Sequence, residues 1–245
     1  MPASGLRSSS ARRLASPLID VSLFTRPAFA AASRAAFVVF FAFVGAIVYF
    51  SAYLQQVQGH SPISAGLDVA AIGVAYAITT TISGHLVGRI GERMPLVAGL
   101  VIAGVASLGL LRLGVNTGIG AIWWNFAVLG AGVGLCGTPM STIAMAAVDT
   151  ARAGMASVVN SLRQVGQVFG VAVLGALVYA RLHRAGPGGR LDPRGAALFI
   201  SGLHAALWVS GLALLAAGVV AGLLLVHGSG HTRATRSTTE RGCQP

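Results

Sequence analysis

The sequence predicts an all-α membrane protein of about six transmembrane helices, and three observations predict it. Only 9% of the 245 residues are charged and 55% are hydrophobic, whereas a soluble domain carries about 25% charged residues. The mean hydropathy is +0.77, more apolar surface than water can solvate on a chain of this length, so a bilayer is the natural solvent. The apolar residues also fall into six long runs separated by short polar segments. Finally, glycine is abundant, at 33 residues. Glycine costs about 1 kcal/mol relative to alanine in a soluble helix, but it lets membrane helices approach closely.

Residues 1–27 are polar and rich in Arg, Ser and Pro, and read as a solvated cytoplasmic segment beside the membrane. Their composition also fits an organellar transit peptide; a cleavable secretory signal is disfavoured by the length of the first apolar run and the five that follow. Helix 1 is expected over 30–55, because Ala35 to Leu54 carries no charge and that length crosses about 30 Å of hydrocarbon. Helix 2 is expected over 63–88, opened by Ser61-Pro62, and helix 3 over 94–113, opened by Met94-Pro95. Helix 4 is expected over 120–146, with Gly130, Gly132, Gly134 and Gly137 ahead of Pro139. Helix 5 is expected over 153–180, with Asp149 and Thr150 as N-cap candidates, and helix 6 over 197–226. The lobe thus covers 28–226, and 227–245 reads as a basic cytoplasmic tail.

The formal net charge is +11 and all 17 basic residues are Arg. These residues flank apolar runs and do not cluster with aromatics, which argues against nucleic-acid binding and for membrane topology. An even helix count puts both termini on one side. That side collects Arg7, Arg12, Arg13, Arg26, Arg89, Arg93, Arg152, Arg233, Arg236 and Arg241, against Arg112, Arg181, Arg184, Arg190 and Arg194 on the other. Both termini are therefore expected in the cytoplasm, although the loop between helices 5 and 6 places four Arg outside. Cys136 and Cys243 offer neither a disulfide framework nor zinc spacing, and no metal site is expected. An enzyme is not expected either: a rhomboid-like protease needs Gly-x-Ser-Gly, and neither that, H-E-x-x-H nor a paired-aspartate motif occurs.

Two helix junctions carry more information. The turn after helix 2 reads Gly84-His85-Leu86-Val87-Gly88-Arg89-Ile90-Gly91-Glu92-Arg93. Gly permits a tight inter-helix hairpin, and Arg can bond helix C-terminal carbonyls. Gly84, Arg89, Gly91 and Arg93 resemble the G-x-x-x-D-R-x-G-R-R/K signature loop of the major facilitator superfamily. Gly88 stands where that loop has its acidic residue and Glu92 where it has a basic one, which puts the charge latch of the loop in doubt. An ordinary positive-inside loop is the alternative. More specific is Arg152-Ala153-Gly154-Met155-Ala156-Ser157, then Asn160, Arg163-Gln164, Gly166, Gly170 and Ala172. It resembles the R-A-G-x-A-S-x-x-N-x-x-R-Q-x-G-x-x-x-G-x-A segment of the fourteen-span drug:proton antiporters. Pro17-Leu18-Ile19-Asp20 with Leu23-Phe24 and Phe29 is similar to a lead-in of the same family. So is Tyr53-Leu54-Gln55-Gln56-Val57 with Gly59, Ser61-Pro62 and Ala65-Gly66.

The resemblance covers about residues 17–226. It implies the C-terminal six-helix half of a major facilitator transporter: one lobe of two three-helix repeats, with the third helix of each repeat toward lipid. It implies a multi-pass protein of the cell membrane that exports small hydrophobic or cationic compounds, with a proton gradient as energy source and no cofactor. The family's proton-coupling acid and its antiporter motif belong to a half this sequence does not match. The implied partner is thus a missing N-terminal half or a second copy. A truncated remnant without independent transport is the alternative.

The residues themselves support a polar wall on helices 1, 2, 4 and 5. Ser157, Asn160, Arg163, Gln164 and Gln167 fall on one arc of helix 5, with Gly166 and Gly170 beside it as a small-residue packing strip. A charged side chain in mid-membrane costs at least about 2.5–3.5 kcal/mol on insertion scales. Arg163 should therefore face a polar cavity or a partner, either as a pathway residue or as a structural cap on a neighbouring helix's carbonyls. Asp68 is a pathway carboxylate or an interfacial residue. His85 is a proton relay or, more plainly, a packing histidine, and His204 reads as packing. Arg34 should snorkel; Trp123, Trp124 and Tyr179 suit the interface. Tyr49, Tyr53 and Gln55 are candidates for a cavity mouth.

Overall fold

A computed structural model describes residues 27–114, 119–146, 156–180 and 191–241. The described residues form six helices: α1 (Pro27–Gln56), α2 (Pro62–Ile90), α3 (Arg93–Gly109), α4 (Ile119–Ala146), α5 (Ala156–Tyr179) and α6 (Pro193–Arg241), with a 3-10 turn at Leu110–Arg112 closing α3. Each contains a stretch long and apolar enough to cross a bilayer. The chain is a multi-pass membrane protein.

Local chemistry sets the helix ends. Ser61 caps α2, its hydroxyl accepting from the Ser64 N–H at 3.2 Å, with Pro62 in the first turn where a missing N–H costs nothing. At the other end Gly91 takes φ 82° and its N–H reaches the Val87 carbonyl at 3.0 Å, a conformation that favours glycine. α6 starts four residues ahead of its expected position because Asp192 caps it: the Gly195 N–H donates to Asp192 Oδ1 at 2.7 Å, with Pro193 next. Its helical backbone continues through Arg241, into the segment read as a tail. The caps Asp149 and Thr150 expected for α5 lie outside the described residues.

The helices pack in two rows. α2, α4, α1 and α5 stand side by side in a front row, and α3 and α6 stand behind, α3 against α4 and α6 against α1. The packing pairs are nearly unchanged when α1, α2, α3 are exchanged for α4, α5, α6: α1–α5 becomes α4–α2, and α1–α6 becomes α4–α3. This is the two-repeat lobe expected from sequence, with the third helix of each repeat at the back.

A lipid-bathed bundle gains little from burying apolar surface, since lipid tails are as apolar as leucine; close van der Waals packing has to hold it. Glycines four residues apart provide this at both front crossings. A side chain at Gly166 or Gly170 of α5 would fall on the Phe37 or Phe41 carbonyl of α1, and one at Gly130 or Gly134 of α4 on the Ile72 or Tyr76 carbonyl of α2. At the centre Phe50 of α1 packs on Phe126 of α4, with ring centroids 4.7 Å apart.

Pro139 lies inside α4. It has no N–H for the Leu135 carbonyl one turn back, and a bare carbonyl in hydrocarbon costs several kcal/mol. Ser83 of α2 fills the gap, donating its hydroxyl to that carbonyl at 2.8 Å. Thr80 Oγ1 donates to the Gly134 carbonyl at 3.2 Å, and Thr138 Oγ1 to the Thr80 carbonyl at 3.2 Å. The α2–α4 crossing is thus sewn by hydroxyls around the proline.

Candidate functional site

Arg163 projects from α5 across α1 to α4. Its guanidinium sits 5.3 Å from the centroid of the Phe40 ring, and Nη2 donates to Ser141 Oγ at 3.1 Å. Its Nε is buried without a hydrogen-bond partner. Phe40 stands edge-on to Phe43 at 6.3 Å, and Phe43 stacks on Tyr76 of α2 at 5.5 Å. One cluster therefore draws a residue from each of the four front helices. Cation–π attraction and a hydroxyl offset part of the cost of a desolvated guanidinium. Among the described residues no carboxylate pairs with it; the one ion pair there is His60–Asp68.

The other helix 5 candidates share the arc. Asn160 and Gln164 are exposed and Gln167 is half-buried; the side chain of Ser157 lies outside the described residues. One turn beyond the Arg163–Phe40 pair, Val44, Gln167, Val168, Val171 and Ala172 line an apolar groove of about 460 Å³ between α1 and α5.

Asp68 belongs to a different cluster at the opposite end of the bundle. Its Oδ1 accepts from Trp123 Nε1 at 2.9 Å and its Oδ2 meets His60 Nδ1 at 2.9 Å. It joins α2, α4 and the α1–α2 loop. Tyr53, expected at a cavity mouth, is fully buried: its hydroxyl donates at 2.7 Å to the carbonyl of Gly114, which follows the 3-10 turn closing α3. Tyr49 is also buried, its hydroxyl donating to the Val171 carbonyl of α5. Gln55 Nε2 turns back to Ser51 Oγ at 3.0 Å. His204 ties α6 to the Leu113 carbonyl at 2.9 Å, a packing role. His85 differs from its reading as a packing residue: it is exposed on α2, near only its own helix's Thr81 carbonyl at 3.1 Å. Gly84, Arg89, Gly91 and Arg93 all lie exposed at or near the α2–α3 turn. Neither Arg nor Glu92 forms an ion pair among the described residues, in keeping with the missing acid at Gly88.

Sequence reasoning did not single out Phe40, Ser141 or Tyr76. The available signal was the aromatic spacing of Phe37, Phe40, Phe41 and Phe43 on α1, and a hydroxyl two residues after a membrane proline.

Residues 2–171 match the family model of the Major Facilitator Superfamily. The chain belongs to that superfamily. Within it, the chain is 39% identical over 174 residues to the multidrug resistance protein Stp of Mycobacterium tuberculosis, covering 70% of this chain and 32% of that protein. It is 32% identical over 181 residues to the drug efflux pump JefA of the same organism, covering 74% and 35%. It is 33% identical over 173 residues to the multidrug efflux pump LfrA of Mycolicibacterium smegmatis, covering 69% and 34%. The match thus spans about a third of the length of these curated relatives. Among solved structures, a bacterial homologue of the human lysosomal transporter Spinster, inward-facing and occupied, superposes with a TM-score of 0.60 at 20% identity. That match covers 83% of this chain and 50% of the other, and it shows the fold. The chain is a partial major facilitator domain.

Proposed function

We propose that this chain is the C-terminal lobe of a proton-driven exporter of small hydrophobic compounds, working in the plasma membrane opposite a companion lobe, with both termini in the cytoplasm. The observation that carries the reading is the front row. Four helices there converge on a half-buried guanidinium with no carboxylate partner among the described residues, beside an open apolar groove. A wall of that kind is costly against lipid and serviceable against a second lobe, with the path between them. The relatives named for multidrug efflux support the cargo class, and the fourteen-span resemblance supports proton coupling. The two repeats would then rock against the companion lobe, as transporters of repeated architecture do. No chemistry is assigned to the chain itself, which lacks the nucleophile and metal motifs of an intramembrane enzyme.

Efflux of a hydrophobic fluorescent dye from pump-deficient bacteria tests it. The chain expressed alone should retain the dye like empty cells. Co-expressed with a companion lobe it should expel the dye, and a protonophore should abolish the export. Protonophore-sensitive export by the chain alone, as a monomer, contradicts the reading.

A further inference from the structure

Resting on the reading of the front row as a substrate path, we propose that Arg163, Phe40 and the adjoining α1–α5 groove bind an amphipathic organic anion: a carboxylate on an apolar body. Charge decides the sign of the ligand. A guanidinium keeps its proton in a protein, and here it is held by one neutral hydroxyl and one aromatic face. The described acids are engaged elsewhere or form no pair with it: Asp68 with His60 and Trp123, Asp192 at the cap of α6, and Glu92 in the α2–α3 turn. Among the described residues the wall therefore carries a positive charge with no acidic partner, which repels the cationic cargo expected from resemblance and attracts a negative one.

Geometry then sets the shape of the ligand. Nη2 gives only one of its two protons to Ser141, and Nε on the same planar edge is buried with a proton and no acceptor, so the side chain has to swing out of its cover to offer that edge to a ligand. A planar carboxylate is the group that accepts from such an edge bidentately. Phe40 and Val44 are four residues apart on α1, and Arg163 and Gln167 four apart on α5, so each pair lies on one helix face. The groove thus begins one turn from the charge, and its lining is apolar apart from Gln167. A head on Arg163 and a ring system or chain along Val44 and Val171 would fill both features.

The test is equilibrium binding of three fluorescent probes that share one ring: pyrenebutanoate, pyrenebutanol and pyrenebutylammonium. The purified full chain is held in phosphatidylcholine nanodiscs, so no companion lobe or transport is needed. Binding of pyrenebutanoate should be saturable and about tenfold or more tighter than that of the ammonium probe, as charge-assisted recognition requires. Arg163→Gln should abolish that preference, and Arg163→Lys should keep the charge preference at lower affinity. Elution profile and helicity of each variant confirm that it is folded, and Val105→Ala on the back row should bind like the parent. Equal binding of the three probes, or a preference that survives Arg163→Gln, overturns the proposal. So does an absence of saturable binding, which would mean that a carboxylate of this chain already fills the site. Displacement of the probe by phosphatidylglycerol at bilayer concentrations would assign the site to a lipid headgroup and overturn it as a cargo site. Because binding is read without transport, an anion preference beside a failed efflux assay would sink the transport reading and leave this one standing.

Discussion

At the scale of single residues, the hydroxyls around Pro139 show how little a membrane protein leaves unpaired. Ser83→Ala would strip the Leu135 carbonyl of its donor inside the bundle, which should cost about 1–3 kcal/mol. Thermal unfolding in detergent should show a clear drop for Ser83→Ala. Ser201→Ala, whose hydroxyl bonds only its own helix at the Leu198 carbonyl, should change little. Asp68 is a second test: both its oxygens are used, and Asp68→Asn keeps the shape while removing the charge that His60 and Trp123 share. A loss of about 1 kcal/mol is expected, the modest size reflecting the partial exposure of the His60 partner, and the indole emission of Trp123 should shift with it. The sequence made Arg163 visible, because a charge inside an apolar run has to be explained. It could not show Phe40, Ser141 or Tyr76 as its surroundings. Those three are ordinary membrane residues, made a site only by the crossing of α5 over α1. Tyr53 misled for the converse reason: its polar tip suggested a mouth, and its carbonyl partner 61 residues away was invisible.

Single helices were the most legible level. Length and apolarity placed all six, and Ser61-Pro62 marked the start of α2 as capping chemistry dictates. Asp192-Pro193 carries the same signal and sets the true start of α6. The apolar run begins only after this first turn, so hydropathy by itself places the start too late. Asp192→Ala should cost about 1 kcal/mol by loss of the cap, read as lower protection of the α6 N-terminus in hydrogen exchange while α1 stays protected. The glycine strip on α5 is legible as a packing surface from its four-residue spacing, and the structure seats it on Phe37 and Phe41 of α1. Gly170→Val should separate α1 from α5, since the obstacle is backbone and cannot rotate away. Overpacking of this kind costs about 1–3 kcal/mol or more, and it should appear as loss of monodisperse protein on gel filtration. Gly84→Val is the contrasting case, because nothing lies near that position; it should leave the lobe intact.

At the scale of the whole molecule, the two-repeat arrangement reconciles composition with architecture. Hydropathy counts helices but does not order them, and six unordered helices could pack in many ways. The resemblance supplied the order, and the exchange of α1, α2, α3 with α4, α5, α6 in the packing pairs bears it out. What the sequence shows less directly is the unequal exposure of the two rows. α2 and α5, at the ends of the front row, have the smallest buried share of their spans, 17% and 28%, although they carry much of the polar material. As half of a transporter, the lobe would turn these helices toward a companion across a water-filled path, while α3 and α6 meet lipid. Cysteine accessibility in intact membranes tests that claim most directly. Single cysteines at mid-depth positions Val44 and Gln167 on the front row, and Val105 and Leu212 on the back row, would be placed in a background with both Cys136 and Cys243 replaced and reacted with a membrane-impermeant maleimide while the companion lobe is present. Rapid labelling is expected at Val44 and Gln167 and none at Val105 and Leu212. Labelling of the back row with a silent front row would contradict the two-lobed arrangement.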